Sequence, residues 1–148
     1  MRIAIITECY LPEINGAVYH IEALRKGLIE LGHEVLIVKP DANTKHHHIT
    51  DGILYSPAVK LPHLYNYSVS YPHSRTRLNP DIIHIHYEFS QGLFALYAGR
   101  KLNIPIVYTC HSMYYDYIHY FGALQNLKAV KDFIDHGILR YTNAAKAV

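Results

Sequence analysis

Residues 2–38 read RIAIITECYLPEINGAVYHIEALRKGLIELGHEVLIV, and their pattern decides the fold. Ile3 to Ile6 is a short continuous apolar run, the mark of a strand buried on both faces. From Ala17 to Leu31 the apolar positions Val18, Ile21, Leu24, Leu28 and Leu31 follow a helical period. Gly32 stands where a left-handed cap residue is favoured. Val35 to Val38 is a second buried strand, which Pro40 is expected to stop. Strand, helix, strand is the unit of a parallel sheet.

The remainder repeats the alternation. Asp81 to His86 reads as a strand after the Asn79-Pro80 turn. Ser90 can cap the next helix, whose apolar face is Leu93, Phe94, Leu96, Tyr97 and Leu102. Arg100 and Lys101 suit the negative end of its dipole. Asn103 closes the helix, and Pro105 prevents its continuation. Ile106 to Thr109 is a further strand, followed by a tyrosine-rich loop. A last helix is expected over about Leu124 to Tyr141, with Leu127, Val130, Ile134 and Ile138 on one face. The stretch Asp41 to Asn79 holds His46-His47-His48 and scattered prolines. It reads as a long irregular excursion with one short strand at Ile53 to Tyr55. The expected fold is therefore α/β: a Rossmann-like, doubly wound parallel sheet with helices on both faces. Ala144 to Val148 resembles the start of one more strand, so residues 1–148 are expected to be one domain cut from a longer protein.

Bulk composition narrows the function classes. The chain has 148 residues, enough for one domain with its own core. Its net charge of +2, without a Lys/Arg stripe, argues against nucleic acid as a partner. Two cysteines, Cys9 and Cys110, make no disulfide framework and fit a reducing, cytoplasmic compartment. No run approaches the roughly 20 apolar residues of a membrane span, and peripheral contact with a membrane stays open. The 12 histidines and 14 tyrosines are unusual. Their placement matters more than their number.

In an open parallel sheet, ligands bind beyond the carboxyl ends of the strands, where the strand order reverses. With the first strand central, three segments line that crevice: Thr7 to Gly16, Tyr87 to Ser90, and Cys110 to Asp116. Asn15-Gly16 opens the first helix, where free N–H groups and the helix dipole suit a phosphate. Gly16 lets a ligand approach the backbone. A plain cap at Asn15 and an eased turn at Gly16 explain the same pair. No Gly-x-Gly-x-x-Gly is present, which argues against a nicotinamide or flavin site. His111, directly after a strand, projects toward the crevice and could donate to a sugar hydroxyl or a phosphate oxygen. His84 and His86 share one strand face, but no thiolate or carboxylate pair stands at metal-ligand spacing, and no metal is expected. Glu8 and Glu88 fall just past strand ends. Either could do acid-base work, clamp a hydroxyl, or bond nearby backbone.

Three segments together carry a family resemblance: MRIAIITECYLPEINGAVYHIEALRKGLIELGHEV (1–35), NPDIIHIHYEFSQG (79–92) and RKLNIPIVYTCHSMYYDYIHYF (100–121). In order and spacing they resemble the amino-terminal domain of retaining GT-B glycosyltransferases of family 4. The last is close to the branch that glycosylates diacylglycerol lipids and related acceptors. The resemblance implies the first half of a GT-B fold and retaining transfer of a hexose from a nucleotide-sugar, taken as a UDP-sugar. It implies a lipid or glycan acceptor and no cofactor or catalytic metal. By it, Asn15 and Gly16 lie against the donor diphosphate, and His111 contacts the donor sugar at the reacting centre. Glu8, Glu88, Tyr114, Asp116 and Tyr117 face the acceptor. Cys110 departs from the family, standing where an aromatic is expected. The family's second, nucleotide-binding domain has no counterpart in these residues. The other reading of the same sequence is a non-catalytic Rossmann-like module that binds a phosphorylated ligand or a partner protein.

Overall fold

The computed structural model describes residues 1–60, 68–70, 79–88 and 90–111, with isolated helical positions at 128, 132, 136 and 143. The element order is β1 (Arg2–Ile6), α1 (Gly16–Glu30), β2 (Glu34–Asp41), β3 (His48–Thr50), β4 (Ile53–Lys60), β5 (Ser68–Ser70), β6 (Ile82–Ile85), α2 (Ser90–Leu102) and β7 (Ile106–Tyr108). The described strands form a sheet of order β3-β4-β2-β1-β6-β7, with β5 beside β4 off this path. β4, β2, β1, β6 and β7 run parallel, while β3 and β5 run antiparallel to β4. β1 is central, with β2 on one side and the later β6 and β7 on the other, as a doubly wound sheet requires.

The two faces of the sheet carry separate cores. Ile3 and Ile5 of β1 pack with Val18 and Ile21 of α1 and with Val35 and Ile37 of β2. Ala4 and Ile6 point the other way, to Ala95 and Leu96 of α2 and to Ile83, Ile85 and Ile106. Period-two alternation along β1 thus feeds both layers, which is why its sequence is apolar throughout. Fully burying one such Ile contributes about 1.5–3 kcal/mol.

Several sequence expectations need correction. Pro40 does not stop β2, which continues to Asp41 and pairs Pro40 with Ser56 of β4. The Val38 carbonyl accepts from Thr7 N–H, so Val38 faces β1. Pro40, two residues on, faces the same side beyond the end of β1, where no ladder bond is lost. The stretch read as irregular holds three strands, β3 to β5, and the strand begun at Ile53 runs to Lys60.

In α1, Leu31 is the C-cap and 74% exposed, outside the buried stripe. In α2 the buried residues are Gln91, Gly92, Ala95, Leu96 and Gly99, while Leu93, Tyr97 and Leu102 are exposed. Small residues let this helix lie close to the sheet. A Cβ at Gly99 would come within 2.7 Å of Ile106 Cδ1. Gly32 (φ 81°) and Asn103 (φ 53°) take the left-handed conformation expected after each helix. The helix expected over 124–141 lies outside the described residues except at isolated positions.

Candidate functional site

The carboxyl ends of β1, β6 and β7 meet where the chain's crossovers diverge, α1 leaving to one face and α2 to the other. On the α1 face, register sets His84 beside Ile5. His86, two residues on, shares that face, and the two ring centroids are 4.1 Å apart. Past β7, Thr109 Oγ1 lies 2.8 Å from His84 Nε2. His111 Nε2 lies 2.8 Å from His86 Nδ1, with the two rings nearly parallel. From α1, His20 closes over this pair, its ring 5.3 Å from His111 and 5.8 Å from His86. Tyr87 stands 6.0 Å from His111.

Four imidazoles thus assemble from three segments far apart in sequence. His20 escaped the sequence reading because it lies off the apolar stripe of α1. The available signal was its spacing, four residues past Gly16 and therefore on the same side of the helix.

The two strand histidines of the cluster, His84 and His86, are neutral at ordinary pH. Burial, then the charges of neighbouring imidazoles, push His84 down to about 4 and His86 down to about 2. Burial and then His20 also lower His111. A neutral His111 can donate from one ring nitrogen and accept at the other. Among the described residues, no three His, Cys, Asp or Glu side chains are placed to hold one metal ion.

Asn15 is the N-cap of α1, with extended backbone and its Oδ1 accepting from Val18 N–H at 2.9 Å. Tyr19 N–H bonds the Asn15 carbonyl. Gly16 and Ala17 head the helix, so their N–H groups have no intrahelical partner. The described residues make no demand for glycine at 16: among them a Cβ there would meet no atom within 4 Å, and its φ is not left-handed. The space over Gly16 is open to a ligand.

The loop that presents this tip is braced along its length. Asn15 Nδ2 donates to Cys9 Sγ, and the Cys9 thiol donates to Glu13 Oε2 at 2.9 Å. Burial and then Glu13 push the thiol up to about 12, so it keeps its proton. Thr7 Oγ1 donates to the Cys9 carbonyl, and Lys39 Nζ to the Leu11 carbonyl.

The remaining expected residues divide. Glu8 is 7% exposed and turned inward. Its carboxylate accepts Gln91 N–H at 2.7 Å and the Ser90 hydroxyl, so a carboxylate from the β1 loop caps α2. The Ser90 side chain, expected to cap that helix, instead hands its proton to Glu8 and accepts Ser70 N–H from β5. Burial nevertheless raises Glu8 to about 7, against the lowering effect of those bonds. Glu88 accepts from the Tyr108 hydroxyl of β7. Tyr114, Asp116 and Tyr117 lie outside the described residues. A separate open cleft of about 350 Å³, lined by Arg2, Glu34, Val35 and Asn79 among others, sits at the amino ends of β1 and β2, away from the histidines. Among the described residues no helix is long and apolar enough to cross a membrane.

Residues 14–148 match the profile of Glycosyltransferase Family 4. The chain is 36% identical over 131 residues to an alpha-monoglucosyldiacylglycerol synthase of Acholeplasma laidlawii, covering 84% of the chain and 33% of that relative. It is 31% identical over 126 residues to the alpha-monoglucosyldiacylglycerol synthase of Streptococcus pneumoniae, covering 81% and 29%. A GDP-mannose-dependent alpha-mannosyltransferase of Corynebacterium glutamicum is 30% identical over 116 residues, covering 72% and 28%. The chain spans about a third of the length of the curated relatives it matches. The family match runs from the tip of α1 through both strands that present the histidines, and the chain belongs to glycosyltransferase family 4.

Proposed function

We propose that the chain is the acceptor-side half of a GT-B glycosyltransferase that moves a hexose from a nucleoside-diphosphate sugar, a UDP-sugar, to a lipid or glycan acceptor, retaining the anomeric configuration. The observation that carries this reading is the contact of His20, in the second turn of α1, with His111 at the reversal point of the sheet.

In such a transfer the diphosphate leaves with growing negative charge while the sugar takes on oxocarbenium character. The residues in hand answer those demands. The N–H groups of Gly16 and Ala17 and the positive end of α1 face the departing diphosphate. His111, neutral and held by His86, directs a ring nitrogen at the donor sugar. Asn15 fixes the tip. Glu88, Tyr114, Asp116 and Tyr117 form the acceptor side, and Glu8 anchors its loop to α2. The remaining diphosphate contacts belong to a second domain of the natural protein. No cofactor or metal takes part in this scheme.

The names of the two synthases support a diacylglycerol-type lipid as acceptor. With such a substrate, our reading puts the protein at work in the cytoplasm, at the inner membrane face. Leu93, Tyr97 and Leu102, exposed beside Arg100 and Lys101 on α2, suit that surface. The test is a transfer assay on the full natural gene product with UDP-hexose and diacylglycerol vesicles. Glycolipid formation that falls at least 100-fold in His111→Ala is expected, on the scale of lost transition-state contacts. Unchanged turnover in that variant removes His111 from the mechanism.

A further inference from the structure

We propose that His86 is a positioning residue that fixes the tautomer of His111, leaving its Nδ1 protonated and aimed as a donor at an oxygen of the ligand. This rests on the reading of His111 as the ligand-facing group. The contact between His86 Nδ1 and His111 Nε2, at 2.8 Å, holds one proton. Which ring owns it decides what His111 offers at its other nitrogen.

Suppose His111 donates. His86, a neutral ring with one N–H, then accepts at Nδ1 and carries its proton on Nε2. That nitrogen is buried and has no hydrogen-bond partner among the described residues. A buried N–H without an acceptor is rare in folded proteins, rarer than an under-used acceptor, because the donor loses its water and gains nothing in return. Suppose instead that His86 donates from Nδ1. Its Nε2 is then a bare lone pair, and no donor is stranded.

Protonating both His86 nitrogens is excluded by its surroundings: the ring is 1% exposed and lies against His84, His111 and His20. His86 is therefore the donor and His111 Nε2 the acceptor. His111 must carry its own proton on Nδ1, the reverse of the preference of a free histidine side chain.

This assigns work to a buried residue outside the apolar core. It also limits His111: its free nitrogen recognises a phosphate or hydroxyl oxygen as a donor and does not abstract a proton.

The test is a long-range ¹⁵N–¹H correlation spectrum of the imidazoles in the full chain, labelled at histidine, near pH 7.5. The expected wild-type pattern for His111 is protonated Nδ1 and bare Nε2. His86→Phe, which fills the space without a donor, is expected to return His111 to the Nε2–H form. His86→Asn, whose amide nitrogen stands near the place of Nδ1, is expected to keep the Nδ1–H form. An Nε2–H His111 in the wild type, or one unmoved by His86→Phe, overturns the proposal. The wild-type spectrum decides alone if the Phe variant does not fold. No donor, acceptor or turnover enters this readout. A failed transfer assay therefore sinks the enzymatic reading without touching the tautomer, and the reverse also holds.

Discussion

His20 and His111 meet edge to face, with ring centroids 5.3 Å apart and planes at 73°. The contact joins the second turn of α1 to the end of β7, and so ties the Gly16 tip to the segment that carries His111. His20 also disfavours a proton on His111, adding to the effect of burial. In His20→Ala both effects weaken, since the neighbouring imidazole is removed and water gains access. The pKa of His111, followed by NMR titration, is expected to rise. A fall, or no change, contradicts the contact.

Gly16→Ala separates fold from ligand. The added methyl meets no atom of the described residues within 4 Å, and alanine is the better helix former. Thermal stability is expected to hold or to gain up to about 1 kcal/mol. Affinity for UDP, measured calorimetrically, is expected to drop roughly tenfold, about 1.4 kcal/mol, because the methyl occupies the approach to the helix tip. Unimpaired binding would show that the diphosphate lies elsewhere.

Glu8→Gln tests the inward carboxylate through pH. Burial raises the folded pKa from the ordinary 4.5 to about 7. Between these values the folded state holds more protons than the unfolded one. The stabilising contribution of Glu8 is thus full below about pH 4.5 and is lost as pH rises through 7. His84 and His86 run the other way: lowered from 6.5 to about 4 and about 2, they support the fold above pH 6.5 and cease to do so as pH falls. The variant keeps only the histidine trend. Its stability in denaturant titrations is expected to climb more steeply than wild type from pH 4.5 to 7, the difference reaching on the order of 3 kcal/mol. Parallel curves would contradict the buried, protonatable Glu8.

Arg100→Glu with Lys101→Glu addresses the membrane face. Lys101 Nζ lies 5.8 Å from the Tyr97 ring centre, so its charge borders an exposed aromatic, and Arg100 is exposed in the same last turn. Each basic residue near an anionic surface contributes about 1 kcal/mol. The double variant is expected to lose at least tenfold in partitioning onto vesicles rich in anionic lipid, measured by sedimentation. Equal partitioning contradicts this part of the proposal.

Much of the frame was legible because it obeys local rules. The runs at Ile3, Val35, Ile82 and Ile106 are apolar on both faces, and only strands buried between helices require that. Gly32 and Asn103 announce helix ends by their tolerance of positive φ. His84 and His86 share a face by period two alone.

What escaped depends on partners distant in sequence. Pro40 reads as a breaker until the end of β1 removes the neighbour it would have failed to bond. The buried face of α2 was misplaced because hydrophobicity favours Leu93 and Tyr97, whereas close packing on Ile106 selects Ala95 and Gly99. The inward turn of Glu8 is set by an N–H donor 83 residues away. The approach of His20 is set by how α1 crosses the sheet.

The most direct measurement is a titration of the ¹⁵N-labelled chain with UDP, followed at individual resonances. The account predicts that the amides of Gly16 and Ala17 and the imidazole of His111 shift together along one binding curve, weakly, while resonances around Arg2 and Glu34 at the amino ends of the strands stay still. Shifts confined to that opposite cleft, with Gly16 and His111 unmoved, would contradict it.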